Sequence, residues 1–141
     1  MRREQGFSII ELLIVVAIIG IIASIAVPAL QKARTNAQAG SAIQSLRTIS
    51  TAENLYERRF RVYATLADLA PEGTLDAAIQ SGAKSGYLFA VTLPVGGKHF
   101  DSNADPLLDV PSAIHFFVDD TAVIRFNEGA AADVTSEPIP R

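Results

Sequence analysis

The pattern of apolar and polar positions changes character twice along the chain. Residues 12–30 carry no charged side chain at all. At 1.5 Å per residue these 19 positions predict a helix of about 28 Å, close to the ~30 Å hydrocarbon core of a bilayer. Over residues 31–63 the apolar positions Ala33, Ala37, Ile43, Leu46, Ile49, Tyr56 and Phe60 recur at helical spacing, with Lys32, Arg34, Gln38, Arg47, Glu53 and Arg58 between them. The same helix is therefore expected to continue as an amphipathic half whose stripe packs on a core. Gly40 and Ser41 form a soft point costing about 1 kcal/mol relative to alanine, and no proline occurs between Ala29 and Leu66.

Pro71-Glu72-Gly73 reads as a turn, and residues 74–79 as a short helix with Thr74 as N-cap and Gly82 as stop. After Gly86 the pattern becomes extended. Strands are predicted over 87–93, 113–118 and 122–126, with a Pro- and Asp-containing loop between the first two and a turn at Asp119-Asp120-Thr121. Residues 127–141, small and polar with Pro138 and Pro140, predict a loosely held tail. The expected class is α+β: a long N-terminal helix, membrane-spanning in its first half and amphipathic in its second, packed on a small antiparallel β-sheet. The implied division is a leader over 1–6, a spanning helix over 7–30, its amphipathic half over 31–63, a head over 64–126 and the tail over 127–141.

The entrance to the first helix is unusual, because Glu11 sits inside the apolar run. A carboxylate at the centre of a membrane helix costs ~2.5 to 3.5 kcal/mol, somewhat less near its end, and marks function by default. Ahead of it a short basic leader, Met1-Arg2-Arg3-Glu4-Gln5, ends in Gly6 and is followed by Phe7, three residues and then Glu11. This order resembles the amino terminus of type IV prepilins and of the pseudopilins of type II secretion, with Gly20 and Pro28 standing where that family commonly places helix interruptions. The resemblance covers about the first third of the chain. It implies a pilin-like fold, cleavage after Gly6 by a prepilin peptidase and N-methylation of Phe7. It also implies that the Glu11 carboxylate meets the amine of a neighbouring subunit. The partners implied are further copies of the chain or related subunits, the peptidase, an inner-membrane assembly platform and, before assembly, membrane lipid. The expected role is a structural subunit of a pilus or secretion pseudopilus. It is first held in the cytoplasmic membrane as a single span with a cytoplasmic N-terminus and the head outside, and later sits in a periplasmic or extracellular filament. Two departures from the family are visible: no cysteine pair closes a C-terminal loop, and Ala122 stands where a turn glycine is common.

Three other readings compete. Ser24-Ile25-Ala26 offers a signal-peptide cleavage site, but the apolar run exceeds the usual 7 to 15 residues and the helical pattern continues past it. A plain signal anchor leaves Glu11 unexplained. The alternative from another class is a membrane-anchored periplasmic binding or enzymatic domain that uses the leader only for targeting. Arg2 and Arg3 favour a cytoplasmic N-terminus under the positive-inside rule. A formal charge of −3, about −4 without the leader, makes nucleic acid no evident partner, and the lack of cysteine excludes disulfides and thiolate metal sites.

Candidate chemistry is sparse, and no enzyme is expected. His99 and His115 are the only side chains that titrate near neutrality unperturbed; neither has a zinc-protease spacing, and strand alternation makes His115 a solvated or weakly packed residue. Gly96-Gly97-Lys98 lacks the rest of a phosphate loop, and Ser112 with Asp101 forms no recognisable triad. Arg58, Arg59 and Arg61 read as a cationic last turn complementing the helix dipole. One metal site is a candidate: Asp101, Asn103 and Asp105 match the opening ligands of a calcium loop, although Pro106 replaces its glycine and Ser112 its final glutamate. Some major pseudopilins are similar in holding calcium in the corresponding loop. The competing reading is a solvated Asp/Asn turn, and no other cofactor is expected.

Overall fold

The computed structural model describes residues 6–94, 96–108 and 112–140, so Met1 to Gln5 of the expected leader lie outside the described residues. One helix, α1 (Ile9–Phe60), runs for 52 residues. The chain divides into two compact units, one ending at Ala37 and the other beginning at Gln38. In the first, every described residue is exposed to solvent. The helix continues without a break through Gly20 and Pro28, so the interruption expected there is not observed. Proline removes a single backbone donor, and the helical conformation carries on past it.

The second unit contains the rest of α1 and everything after it. The packing face of α1 is Ala39, Ala42, Leu46, Ile49 and Ala52, with Ser45 and Glu53 buried beside them. It begins later than the periodicity suggested, since Ala33 and Ala37 are exposed. Glu53, expected on the wet face, is completely buried. Arg61 ends the helix in the left-handed region at φ 61°. The chain then turns back through α2 (Leu66–Leu69), a 3-10 turn at Ala70–Glu72 and α3 (Ala77–Gln80). A capping box opens α2: Thr65 accepts from the Asp68 amide while Asp68 accepts from the Thr65 amide. The N-cap of α3 is Asp76 and not Thr74, its carboxylate accepting from the Ile79 N–H at 2.8 Å.

Six antiparallel strands follow in chain order: β1 (Ala83–Lys84), β2 (Tyr87–Thr92), β3 (Asp101–Pro106), β4 (Ile114–Asp119), β5 (Arg125–Glu128) and β6 (Glu137–Pro138). Three are new relative to the expectation from sequence, and the last expected strand starts three residues later, because Ala122 takes up φ 58° in the preceding turn. The acidic stretch expected as a loop is the strand β3. It is paired along its whole length with β2 and over four residues with β4, so its conformation comes from neighbours on both sides and not from its own weak strand propensity. One face of the sheet presents Phe89, Ala104, Phe116 and Val118, which join Leu46, Ile49, Leu69, Ile79 and Phe100 in a single core.

The opposite face is also covered, which corrects the expectation of a loose tail. Residues 129–139 fold back over it: Ala132 is buried, β6 pairs with β5, and the Ile139 N–H donates to the Ile124 carbonyl at 3.0 Å. A segment whose only apolar residues larger than alanine, prolines aside, are Val134 and Ile139 is held there by side chains that satisfy its backbone carbonyls. Asn103 Nδ2 donates to Ala132 O at 3.2 Å and Arg125 Nη1 to Ser136 O at 3.0 Å.

Candidate functional site

The N-terminal segment is built from very few interactions. Gly6 has open space where a Cβ would stand, and Phe7 is 77% exposed. Helix α1 begins at Ile9, which makes Ser8 its N-cap and Glu11 its third residue. The Ser8 N–H donates to Glu11 Oε2 at 3.2 Å. This is the glutamate half of a capping box, and the pattern S-x-x-E was present in the sequence as a helix-start signal. Glu11 therefore acts locally, satisfying a backbone donor that the helix cannot, next to the positive end of the helix dipole. Its other lone pairs are available to a second donor.

Beyond Glu11, the large apolar side chains Leu12, Leu13, Ile14, Val16, Ile18, Ile19, Ile21, Ile22 and Ile25 are each more than half exposed. Among the described residues nothing covers them, and each exposed methylene left in water forgoes about 0.8 kcal/mol of burial. This is the one helix among the described residues that is long and apolar enough to cross a membrane, by length and composition. Ser24 lies inside it and donates its hydroxyl to Ile21 O at 2.7 Å, satisfying its polar group within the helix. Gly20, like Gly6, has open space around its missing Cβ.

The other candidate residues lie together on the outer face of the sheet, but not as a metal-binding loop. Asp101, Asn103 and Asp105 alternate along β3, where positions two apart are separated by roughly 7 Å. A calcium loop instead wraps its oxygens around one ion at about 2.3 to 2.6 Å. Asp105 Oδ1 lies 2.7 Å from His115 Nδ1, and the Asn103 amide is committed to Ala132. Burial, with Asp119 and Asp120 nearby, raises the Asp101 pKa above the ordinary carboxylate value, and His99 partly offsets this. Among the described residues no group of three or more His, Cys, Asp or Glu side chains is arranged to hold a metal ion.

The two histidines part company. His99 pairs with Asp120 at 2.8 Å on the surface. His115 does point away from Ile114 and Phe116, as alternation required, yet it is buried and not solvated, on the side of the sheet where its strand neighbour Asn127 and Asn103 bond to Ala131 and Ala132. The arginines of the last turn of α1 are not a cluster aimed at one ligand. Arg59 pairs with Glu72 at 2.8 Å and stacks over Phe60, with its guanidinium carbon 5.0 Å from the ring centre.

One comparison with known proteins falls on this same N-terminal segment. The family model for the prokaryotic N-terminal methylation motif matches residues 1–27. The chain is 38% identical over 73 residues to a fimbrial protein of Moraxella nonliquefaciens, covering 52% of this chain and 47% of that one. It is 38% identical over 73 residues to the type IV major pilin protein PilA of Myxococcus xanthus, covering 50% and 33%. A fimbrial protein of Pseudomonas aeruginosa is 44% identical over 52 residues, covering 37% and 34%. The chain thus spans about half the length of the first relative and about a third of the other two. No solved structure gives a significant match. A prepilin methylation motif, a helix apolar enough to span a membrane, an α+β arrangement of long helix and antiparallel sheet, and fimbrial and type IV pilin relatives together mark this chain as similar to the type IV pilins.

Proposed function

We propose that the chain is a structural subunit of a type IV pilus-like filament, processed at Gly6 and polymerised through α1. The observation that carries this reading is the sequence order at the N-terminus set against its surroundings: Gly6, Phe7, Glu11 and then a helix whose apolar side chains are exposed on all sides. Such a surface needs a cover. In the cytoplasmic membrane lipid supplies it, with the head outside; in a filament the helices of neighbouring subunits do. Cleavage after Gly6 creates an amine on Phe7, and in the filament the Glu11 carboxylate receives the amine of a neighbour while keeping its bond to Ser8. Opposite charges 4 Å apart attract by ~4 kcal/mol at an effective dielectric of 20. That is comparable to the ~2.5 to 3.5 kcal/mol upper cost of a carboxylate in the span. The role is one of assembly and not catalysis, and its partners are further subunits, a prepilin peptidase and an inner-membrane assembly platform.

Mass spectrometry of the mature N-terminus tests the reading. N-methyl-Phe7 is expected, and a chain that keeps Met1 or starts near Val27 would favour a membrane-anchored periplasmic domain instead. Gly6→Val should leave the leader attached, because the peptidase must approach the backbone where only glycine leaves room.

A further inference from the structure

Where α1 gives way to α2, the fold buries a carboxylate without a counter-charge. Glu53 has no exposed surface. Its Oε2 accepts from the Ala64 N–H at 3.0 Å, and its Oε1 is buried with no hydrogen-bond partner among the described residues. Among the described residues no cation pairs with it. The charge that bears on it is of the same sign, Asp68 on α2. The titratable group beside it is the Tyr63 phenol, which burial and the charges of Asp120, Glu57 and Glu53 push up. The segment held by this bond is also held by the Ala64 side chain, buried in the core, and by the Tyr63 ring, whose centre lies 5.0 Å from that of Phe100. Arg61 is in the left-handed region, and Tyr63 is tied by its N–H to Gly97 O at 2.9 Å.

We propose that Glu53 is a proton-operated latch on residues 61–65: protonated, it keeps the segment seated on α1, and ionised, it drives the segment to open so that the carboxylate can be hydrated. The physical asymmetry is plain. A neutral carboxyl still accepts from Ala64 and tolerates an apolar surrounding, whereas an anion with one oxygen unpaired does not. Burial, first, and Asp68 raise the pKa in the closed head from 4.5 to about 7, while the Ala64 bond works the other way. Since the closed state binds the proton more tightly than the open one, opening is favoured as pH rises through that window and gains nothing further above it.

The test is amide hydrogen exchange on the full chain in detergent micelles, expressed as protection factors across pH 5 to 9. For the Ala64 amide, protection should fall with rising pH by up to about tenfold per unit and level off above the Glu53 pKa. The Val118 amide, on a core strand, should not follow it. Glu53→Gln keeps the acceptor and cannot ionise, so its Ala64 protection should be independent of pH. A flat wild-type profile, a slope that survives in the glutamine variant, or a parallel loss at Val118 each overturns the latch. If the variant does not fold, the carboxyl carbon of Glu53 in the wild type is titrated by NMR: a midpoint near neutrality supports the proposal, and one in the ordinary carboxylate range overturns it.

Discussion

The side-chain amide of Asn103, in the middle of β3, donates to the carbonyl oxygen of Ala132 at 3.2 Å and so fastens the end of the chain across the outer face of the sheet. The two residues are 29 positions apart. Asn103→Ala leaves the buried stretch around Ala132 short of a donor and should cost about 1 to 3 kcal/mol. Asn103→Asp should cost more, because it points a carboxylate at a carbonyl oxygen on a strand that already carries Asp101 and Asp105. Thermal unfolding of the two variants checks the order, and equal melting temperatures for both variants and wild type would mean the fastening carries no stability.

Ala122 offers a stabilising change. It closes the turn after β4 at φ 58°, donating its N–H to Asp119 O at 3.0 Å. An L-residue in that conformation is strained by roughly 1 to 2 kcal/mol, partly offset in a glycine variant by the larger entropy of its unfolded chain. Ala122→Gly should therefore raise stability by up to about 1 kcal/mol in chemical denaturation, and a lower midpoint would refute the strain.

Asp76 does two jobs that substitution can separate. One oxygen caps α3 at the Ile79 N–H, and the other lies 2.6 Å from Lys84 Nζ. Asp76→Ala should cost ~1 kcal/mol, as lost N-caps do. Asp76→Asn keeps the cap and loses only a half-exposed ion pair, worth a few tenths of a kcal/mol. The Lys84 and Ile79 bonds lower the Asp76 pKa below 3.8. Its contribution is thus complete above that value and lost as pH falls through the folded pKa, the reverse of Glu53, whose contribution is lost as pH rises. Denaturation midpoints of the alanine variant and wild type should converge at low pH.

For Glu11 the expectation turns on assembly. Glu11→Ala removes a carboxylate from the apolar run and one bond to Ser8, so insertion in the membrane should be equal or better and cleavage after Gly6 should persist. Filaments should not form. Fractionation of sheared filaments against membranes measures both, and a normal filament yield would sink the charge pairing.

The N-terminal half of α1 was legible because its signal is local. A charge-free run, a carboxylate three residues into the helix and the residues flanking it are consecutive in the chain, and the helix that they imply is the helix observed. Two further local signals, the S-x-x-E pattern at Ser8 and Glu11 and the T-x-x-D pattern at Thr65 and Asp68, were equally available and describe bonds present in the fold. The head was only half legible. Apolar alternation located β2 and β4, but β3 is polar at most of its positions and becomes a strand because two neighbours pair with it. The same holds for the tail, for His115 and for Glu53. Apolar periodicity records which positions avoid water, a property each residue carries with it. Whether a polar residue is buried depends on finding a partner distant in the chain, and that is settled when Asn103 meets Ala132 and Glu53 meets Ala64.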